Sequence, residues 1–248
     1  MINKLNLNIK FIKNLICKFT GFWCNKISNV SNYRIFEINN LIQNEKINNE
    51  LTYRILDFGC GNGVQTAFLA KKFFKSSVHG IDILRNKKIK INNYNYRIYN
   101  GINLPYKNNY FDIVFSSNVL EHISNTDTIQ SELKRILKKK GIIYHFLPSV
   151  SWRFWTIMTG IVKYWYPDLR PHGEISSSSL GEVFLFRKVF WIKIFIRNGF
   201  KIISIFKNKI FYTGHEIFGP KISLKNRVFI SKFLGSSCNI FIIKKNYE

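Results

Sequence analysis

Three glycines fall within five residues in LDFGCGNG, Leu56 to Gly63. No other stretch restricts the fold of this chain so tightly. Glycine loses more backbone freedom on ordering than any other residue, so a cluster of them must be needed by the structure. A short apolar run, RILDF, leads into the cluster, and VQTAFLAKKFF leaves it with helical character. Strand, bare turn, helix is the opening unit of a doubly wound α/β sheet. In such sheets ligands gather at the carboxyl ends of the strands.

The rest of the chain continues the alternation. SSVHGIDI, YRIYN, YFDIVFSSNVL and GIIYHFLP read as strands, and TIQSELKRILKKKG reads as a helix closed by Gly141. RKVFWIKIFIRNGF is a second strong helix, ended at Asn198-Gly199, and KIISIFK and CNIFIIKK are two further strands. The pattern predicts an α/β fold with a doubly wound, mostly parallel seven-stranded sheet. The rhythm breaks between Ser149 and Phe186. SVSWRFWTIMTGIVKYWYP is aromatic-rich, with Trp155, Met158, Val162 and Trp165 at helical spacing, and DLRPHGEISSSSLGE is loop-like.

Four segments follow. Residues 1–48 form a basic helical arm, with Leu5, Ile9, Ile12, Ile16, Phe19 and Trp23 on one face. Residues 49–148 are the ligand-binding α/β core, 149–186 an aromatic cap, and 187–248 the remainder of the core.

Two details of the turn select its ligand. The glycines are spaced GxGxG, and Val64 stands where the dinucleotide fingerprint GxGxxG needs its third glycine. Asp57 precedes the turn, where a carboxylate repels pyrophosphate but suits a ligand carrying positive charge, such as the ammonium and sulfonium of S-adenosylmethionine. Asp82 ends the second strand, where a ribose diol can be held by two charge-assisted hydrogen bonds.

Residues 55–145 resemble the core of the class I S-adenosylmethionine-dependent methyltransferases, in particular the group that includes quinone-biosynthesis and many small-molecule enzymes. ILDFGCGNG is similar to that family's first motif, and NGINLPYKNNYFDIVFSSNVLEHI to a longer and more specific signature. The resemblance implies an antiparallel final strand; it does not extend to the arm or to the 149–186 insertion, whose helical spacing is read as a helical cap. It implies that Asp57, Gly59, Cys60, Gly61 and Gly63 shape the cofactor site, that Asp82 holds the ribose and that Ile83 packs on adenine. Asn100, beside Gly101, stands where the family commonly has an acid that meets the adenine amino group; its amide oxygen can still accept that bond. Asn118 falls near the methionine moiety, with Glu121 and His122 on the next turn.

Methyl transfer is an in-line displacement from a good leaving group, so positioning dominates, and a base is needed only to remove a proton from the acceptor. His122, His172 and Tyr166 are the candidate helpers. No metal is expected; HGE at 172–174 with Glu121 and His122 is the one combination that would serve.

The formal net charge is +24. That admits an anionic membrane or nucleic acid as partner, and equally a compositional bias, since the lysines are spread along the chain and no arginine-rich tract stands out. SSNVLEHI replaces the Asn-Pro-Pro-Tyr type of motif that base methylation would use, so nucleic acid is not the expected substrate. An RNA methyltransferase and a non-catalytic membrane- or protein-binding module remain the alternatives. The expected partners are a small-molecule acceptor, apolar or linked to lipid, quinone or glycan, and the anionic inner face of a membrane. Cysteines 17, 24, 60 and 238 form no CxxC pair and read as reduced thiols of a cytoplasmic protein. Lys10, Lys13 and Lys18 interrupt any signal-peptide core, and FWTIMTGIV is too short to span a bilayer.

Overall fold

The computed structural model describes residues 30–83, 95–215 and 222–247. The apolar face expected over Leu5 to Trp23 lies outside them. Seven strands form one sheet: β1 Arg54–Phe58, β2 Ser77–Asp82, β3 Asn95–Ile98, β4 Phe111–Ser117, β5 Leu137–Pro148, β6 Phe200–Lys207 and β7 Cys238–Lys245. Their order is β3-β2-β1-β4-β5-β7-β6. The first five run parallel, and β7 slots antiparallel between β5 and β6. The expected mostly parallel sheet with an antiparallel end is therefore present. The order reverses between β1 and β4, where a crevice opens at the strands' carboxyl ends.

Neighbouring residues of each central strand serve opposite faces. Leu56 and Val114 join Leu133, Trp191 and Phe195 on one side. Ile55, Ile113 and Phe115 join Leu69, Phe73 and Tyr144 on the other. Helix α1 (Val30–Asn44) buries Ile38, Leu41 and Ile42 in this second cluster. That part of the expected arm is thus integral to the core.

Helices α2 (Val64–Lys72), α3 (Thr126–Ile136) and α6 (Lys188–Arg197) cover the sheet. Helix α3 stops at Ile136, earlier than the expected closure at Gly141. Leu137 instead pairs opposite Phe111 and starts β5. Gly141 is not a helix cap; a Cβ there would lie 2.7 Å from the Leu137 side chain. Tertiary pairing outweighs the helix propensity of the lysine run.

The cap holds α4 (Val150–Tyr164) and α5 (Ser179–Leu185), and a helix the sequence reading did not anticipate, α7 (Leu224–Leu234), lies between β6 and β7. The Trp155 indole N–H donates to the Leu234 carbonyl at 2.9 Å and joins α4 to α7. Helix α4 buries Trp152, Arg153, Thr156 and Gly160. Its Phe154, Met158, Ile161 and Val162 face solvent, as does Trp165 just beyond. The aromatic stripe seen in the sequence therefore points largely outward, and an arginine takes the inner face.

Candidate functional site

The three glycines of the turn answer to different constraints. Gly59 has φ of +71°, and a Cβ there would sit 2.3 Å from a methyl of Val119. Its N–H, like that of Cys60, donates to the Ile81 carbonyl, pinning the turn to β2. Gly61 has φ of +53° with nothing within 4 Å of a Cβ, so its face is open. Gly63 caps α2 at φ 73°. The ligand explanation offered for all three thus applies directly to Gly61, while Gly59 is bare because Val119 presses on it.

Asp57 is buried. Its Oδ1 accepts from Gln65 Nε2 and its Oδ2 from Thr66 Oγ1, both at 2.6 Å. The carboxylate fastens the end of β1 to the start of α2, so it supports the turn rather than facing a ligand. Burial pushes its pKa up to about 7 against the help of Thr66. Cys60 turns its thiol inward, towards Gly80 and Thr66, and burial raises its pKa. Only its backbone is left to serve the turn.

Asp82 lines the cleft with Gly59, Ile83, Tyr99, Asn118 and His122. Its Oδ2 accepts from Gly61 N and its Oδ1 from Ile83 N, each at 2.7 Å. Each oxygen keeps a further lone pair for a diol. Ile83 is 54% exposed, and a Cβ on Gly101 would lie 3.8 Å from it, which makes an apolar shelf of adenine type. Asn100 departs from expectation. Its Oδ1 already accepts from Ile102 N and Asn103 N, at 3.0 and 2.8 Å. It holds its own loop, which leaves it a poor acceptor for an adenine amino group.

Past β4 the chain turns sharply. Asn118 takes φ of +53°, a region asparagine tolerates better than most residues, and its N–H donates to the Phe146 carbonyl. A 3-10 turn, Leu120–His122, follows. Glu121 is buried there, and among the described residues neither of its carboxylate oxygens has a hydrogen-bond partner. His122 Nε2 stands 4.0 Å from Glu121 Oε1. The cap closes over this turn. A Cβ on Gly173 would strike the Glu121 carbonyl, and Glu174 N donates to that carbonyl at 3.2 Å. The His172 ring is thereby brought to 4.8 Å from that of His122 and 4.7 Å from Trp152. Glu182 fixes the approach: its Oε1 accepts from His172 N and Gly173 N at 2.6 Å each, and its Oε2 lies 2.9 Å from Arg153 Nε.

Both rings keep an edge to solvent, yet desolvation governs them. It lowers His172 to about 4, helped by His122 and Arg153. It also lowers His122, despite the opposing charge of Glu174. Both are neutral imidazoles at neutral pH, able to take up a proton. Burial pushes Glu121 the other way, up to about 8. Ligand atoms of Glu121, His122 and His172 lie within 4.8 Å of one another. That span is wider than the roughly 3.3 Å edges of a tetrahedral zinc site with 2.0–2.1 Å bonds. Tyr166 does not join the trio; it is 59% exposed and stacks on Tyr164.

One residue was missed. Arg34, on α1, lies near enough for its charge to act on Asp57, Glu121, His122 and His172. A lone arginine in a helical stretch carries no sequence signal of that role.

Residues 56–145 match a family described as "Methyltransferase domain". An uncharacterized methyltransferase of Schizosaccharomyces pombe is 36% identical over 107 residues, 37% of this chain and 38% of that one. A ubiquinone biosynthesis O-methyltransferase of Bartonella bacilliformis is 26% identical over 125 residues, 46% of this chain and 50% of its own. The chain thus spans half or less of the length of these curated relatives. A solved S-adenosylmethionine-dependent methyltransferase from Mesorhizobium loti has 13% identity and a TM-score of 0.56, covering 85% of this chain and 98% of that one. At that identity the likeness concerns the fold.

Proposed function

We propose that this chain, whose core is that of the class I S-adenosylmethionine-dependent methyltransferases, methylates a small-molecule acceptor at a site roofed by the cap. One observation carries the reading. The cleft at the ends of β1, β2 and β4 has an open-faced glycine, a ribose-type carboxylate and an apolar shelf, and a pair of neutral histidines at its mouth. When bound, S-adenosylmethionine supplies a methyl group on a sulfonium, an electrophile for in-line displacement.

The chain's own residues do the rest. Asp82 holds the ribose diol, Ile83 and Gly101 flank the adenine, and Gly61 lets the cofactor lie on bare backbone. With His122 Nε2 turned towards Glu121, Nδ1 is the ring nitrogen left to take a proton from an acceptor hydroxyl. His172, held by Glu182, closes the other side.

The acceptor has an apolar part and is met at the inner face of a membrane by a cytoplasmic protein. Phe154, Met158, Val162 and Trp165 of the cap are exposed, and the charge of +24 favours anionic lipid. Arg153 is not available to that surface; it is buried against Glu182. Among the described residues no helix is long and apolar enough to cross a membrane.

The test supplies methyl-labelled cofactor with hydroxylated lipid, quinol and glycan acceptors on anionic vesicles. Label in the extractable acceptor supports the reading, and label in added RNA overturns it. For an acceptor methylated on oxygen, His122→Ala lowers kcat about 10²–10⁴-fold with cofactor affinity kept, while Tyr166→Phe leaves kcat unchanged.

A further inference from the structure

Asn118 lines the cofactor cleft, and a buried thiol stands behind it. Cys238, the first residue of β7, donates from Sγ to Asn118 Oδ1 at 3.6 Å. On its other side the sulfur meets Tyr212 Oη at 3.0 Å. We propose that Cys238 and Tyr212 are positioning residues, which turn the Asn118 amide so that Nδ2 donates to the carboxylate of bound S-adenosylmethionine. The proposal rests on the methyltransferase reading and names the cofactor atom that this part of the site recognises.

An asparagine amide carries its acceptor on one side and its two donors on the other. With Oδ1 turned to Cys238, Nδ2 is turned away from it, and among the described residues Nδ2 donates to nothing. The reverse orientation would offer the cleft an acceptor, suited to the cofactor's ammonium instead. The backbone is fixed as well, with Asn118 N donating to the Phe146 carbonyl at 2.9 Å. Hydrogen counting sets the directions further back. A thiol has one proton; Cys238 gives it to Asn118, so its sulfur accepts from Tyr212. Tyr212 is held for this by Ser237, whose Oγ accepts from Tyr212 N at 2.6 Å and donates to the Tyr212 carbonyl at 2.8 Å, and by the ring of Tyr33, stacked at 5.1 Å. The Tyr212 oxygen is then left to accept from Glu37, which reaches the same hydroxyl and is raised by burial to about 7. In its acid form Glu37 has a proton to give. Asn208 Nδ2 secures it by donating to Oε1 at 2.5 Å. Glu37, Tyr212 and Cys238 are all buried.

The order of groups along the cleft picks out the carboxylate. Asp82 and Ile83 stand at the end of β2, Asn118 at the end of β4, and β1 lies between those strands. A cofactor with adenine on Ile83 and ribose on Asp82 has its amino-acid end, joined to the ribose through sulfur, running towards β4. Its carboxylate there meets an amide that presents N–H groups.

The full chain is titrated calorimetrically at about pH 6, where Glu37 is an acid, with S-adenosylmethionine and with its decarboxylated analogue. Asn118→Gly suits the positive φ and should weaken S-adenosylmethionine about tenfold while leaving the analogue unchanged. Cys238→Ala should weaken S-adenosylmethionine about threefold when Asn118 is present and not at all in the Asn118→Gly chain. Should Cys238→Ala fail to fold, Cys238→Val keeps the bulk without the thiol proton and takes its place. Equal losses for both ligands, or a Cys238 effect that survives removal of the Asn118 amide, would reduce the thiol to packing and overturn the proposal while the cofactor reading stands. A folded wild-type protein that binds neither ligand overturns the methyltransferase reading, and the proposal with it.

Discussion

The cofactor cleft and the cap meet at His122 and His172, yet they are stabilised by different means. The cleft is shaped by backbone: Gly59 and Cys60 N–H groups on the Ile81 carbonyl, Gly61 N–H on Asp82, and a methyl of Val119 pressed on bare Gly59. The cap is held by charge. Arg153 and Glu182 are each 1% exposed and pair with one another, and Asp168 grips Arg170. A buried ion pair has to recover the cost of leaving water and is fragile when one partner goes. The cleft should therefore tolerate loss of charge better than an added methyl group, whereas the cap should fail when its buried charge pair is broken.

The largest effect should come from Arg153→Met, which leaves the Glu182 carboxylate buried alone. A loss of about 3–5 kcal/mol is expected in chemical denaturation. Adding Glu182→Gln keeps an acceptor for the His172 and Gly173 N–H groups and should restore most of it. A double variant as weak as the single would show that charge does not hold the cap.

Gly59→Ala comes next. The added Cβ meets Val119 and the residue sits at positive φ; overpacking and left-handed strain together should cost about 2–4 kcal/mol. Val119→Ala in the same chain should relieve the steric part. Gly61→Ala meets no atom and carries only the strain, about 1–2 kcal/mol. It should melt close to wild type yet lose cofactor binding. A Gly61→Ala protein that binds normally would mean the open face is not the ligand's.

The smallest effect is a pH slope. Glu37 and Asp57 are raised to about 7 and Glu121 to about 8, each chiefly by burial. Their stabilisation is fully present below about pH 4, the unfolded value, and is lost as pH rises through 7 to 8. His79, His145 and His172 are lowered by burial to about 4, 3 and 4. Their stabilisation is present above about 6.5 and is lost as pH falls towards 4. From pH 6.5 to 8 the carboxyls dominate, so the unfolding free energy read from urea titrations should fall, by up to about 1.4 kcal/mol per pH unit for each group. Glu121→Gln should flatten that slope.

The two regions also differed in how much of them was legible in the sequence. Local rules wrote the cleft: a strand, a glycine turn, a helix, then an acid ending the next strand. Asp82 ends β2 and Gly61 lies in the turn after β1, as those rules expect. What the sequence hid was direction. Periodicity showed a stripe on α4 but not that it faces out, because Arg153 finds Glu182 and Arg170 only once the loop has folded back over Gly160. Asp57 looked like a ligand carboxylate, and its partners Gln65 and Thr66 come from the following helix. Arg34 and α7 depend on contacts between segments far apart in the chain, which no local pattern records.

The central claim is that the β1–β2–β4 cleft binds S-adenosylmethionine through Asp82. Calorimetric titration of the full chain, with Asp82→Asn alongside and NADH as competitor, tests it most directly. Micromolar binding, untouched by NADH and weakened about 10–100-fold by loss of the charged acceptor, is the expected result. A folded wild-type protein that fails to bind, or an Asp82→Asn variant that binds equally well, would contradict it.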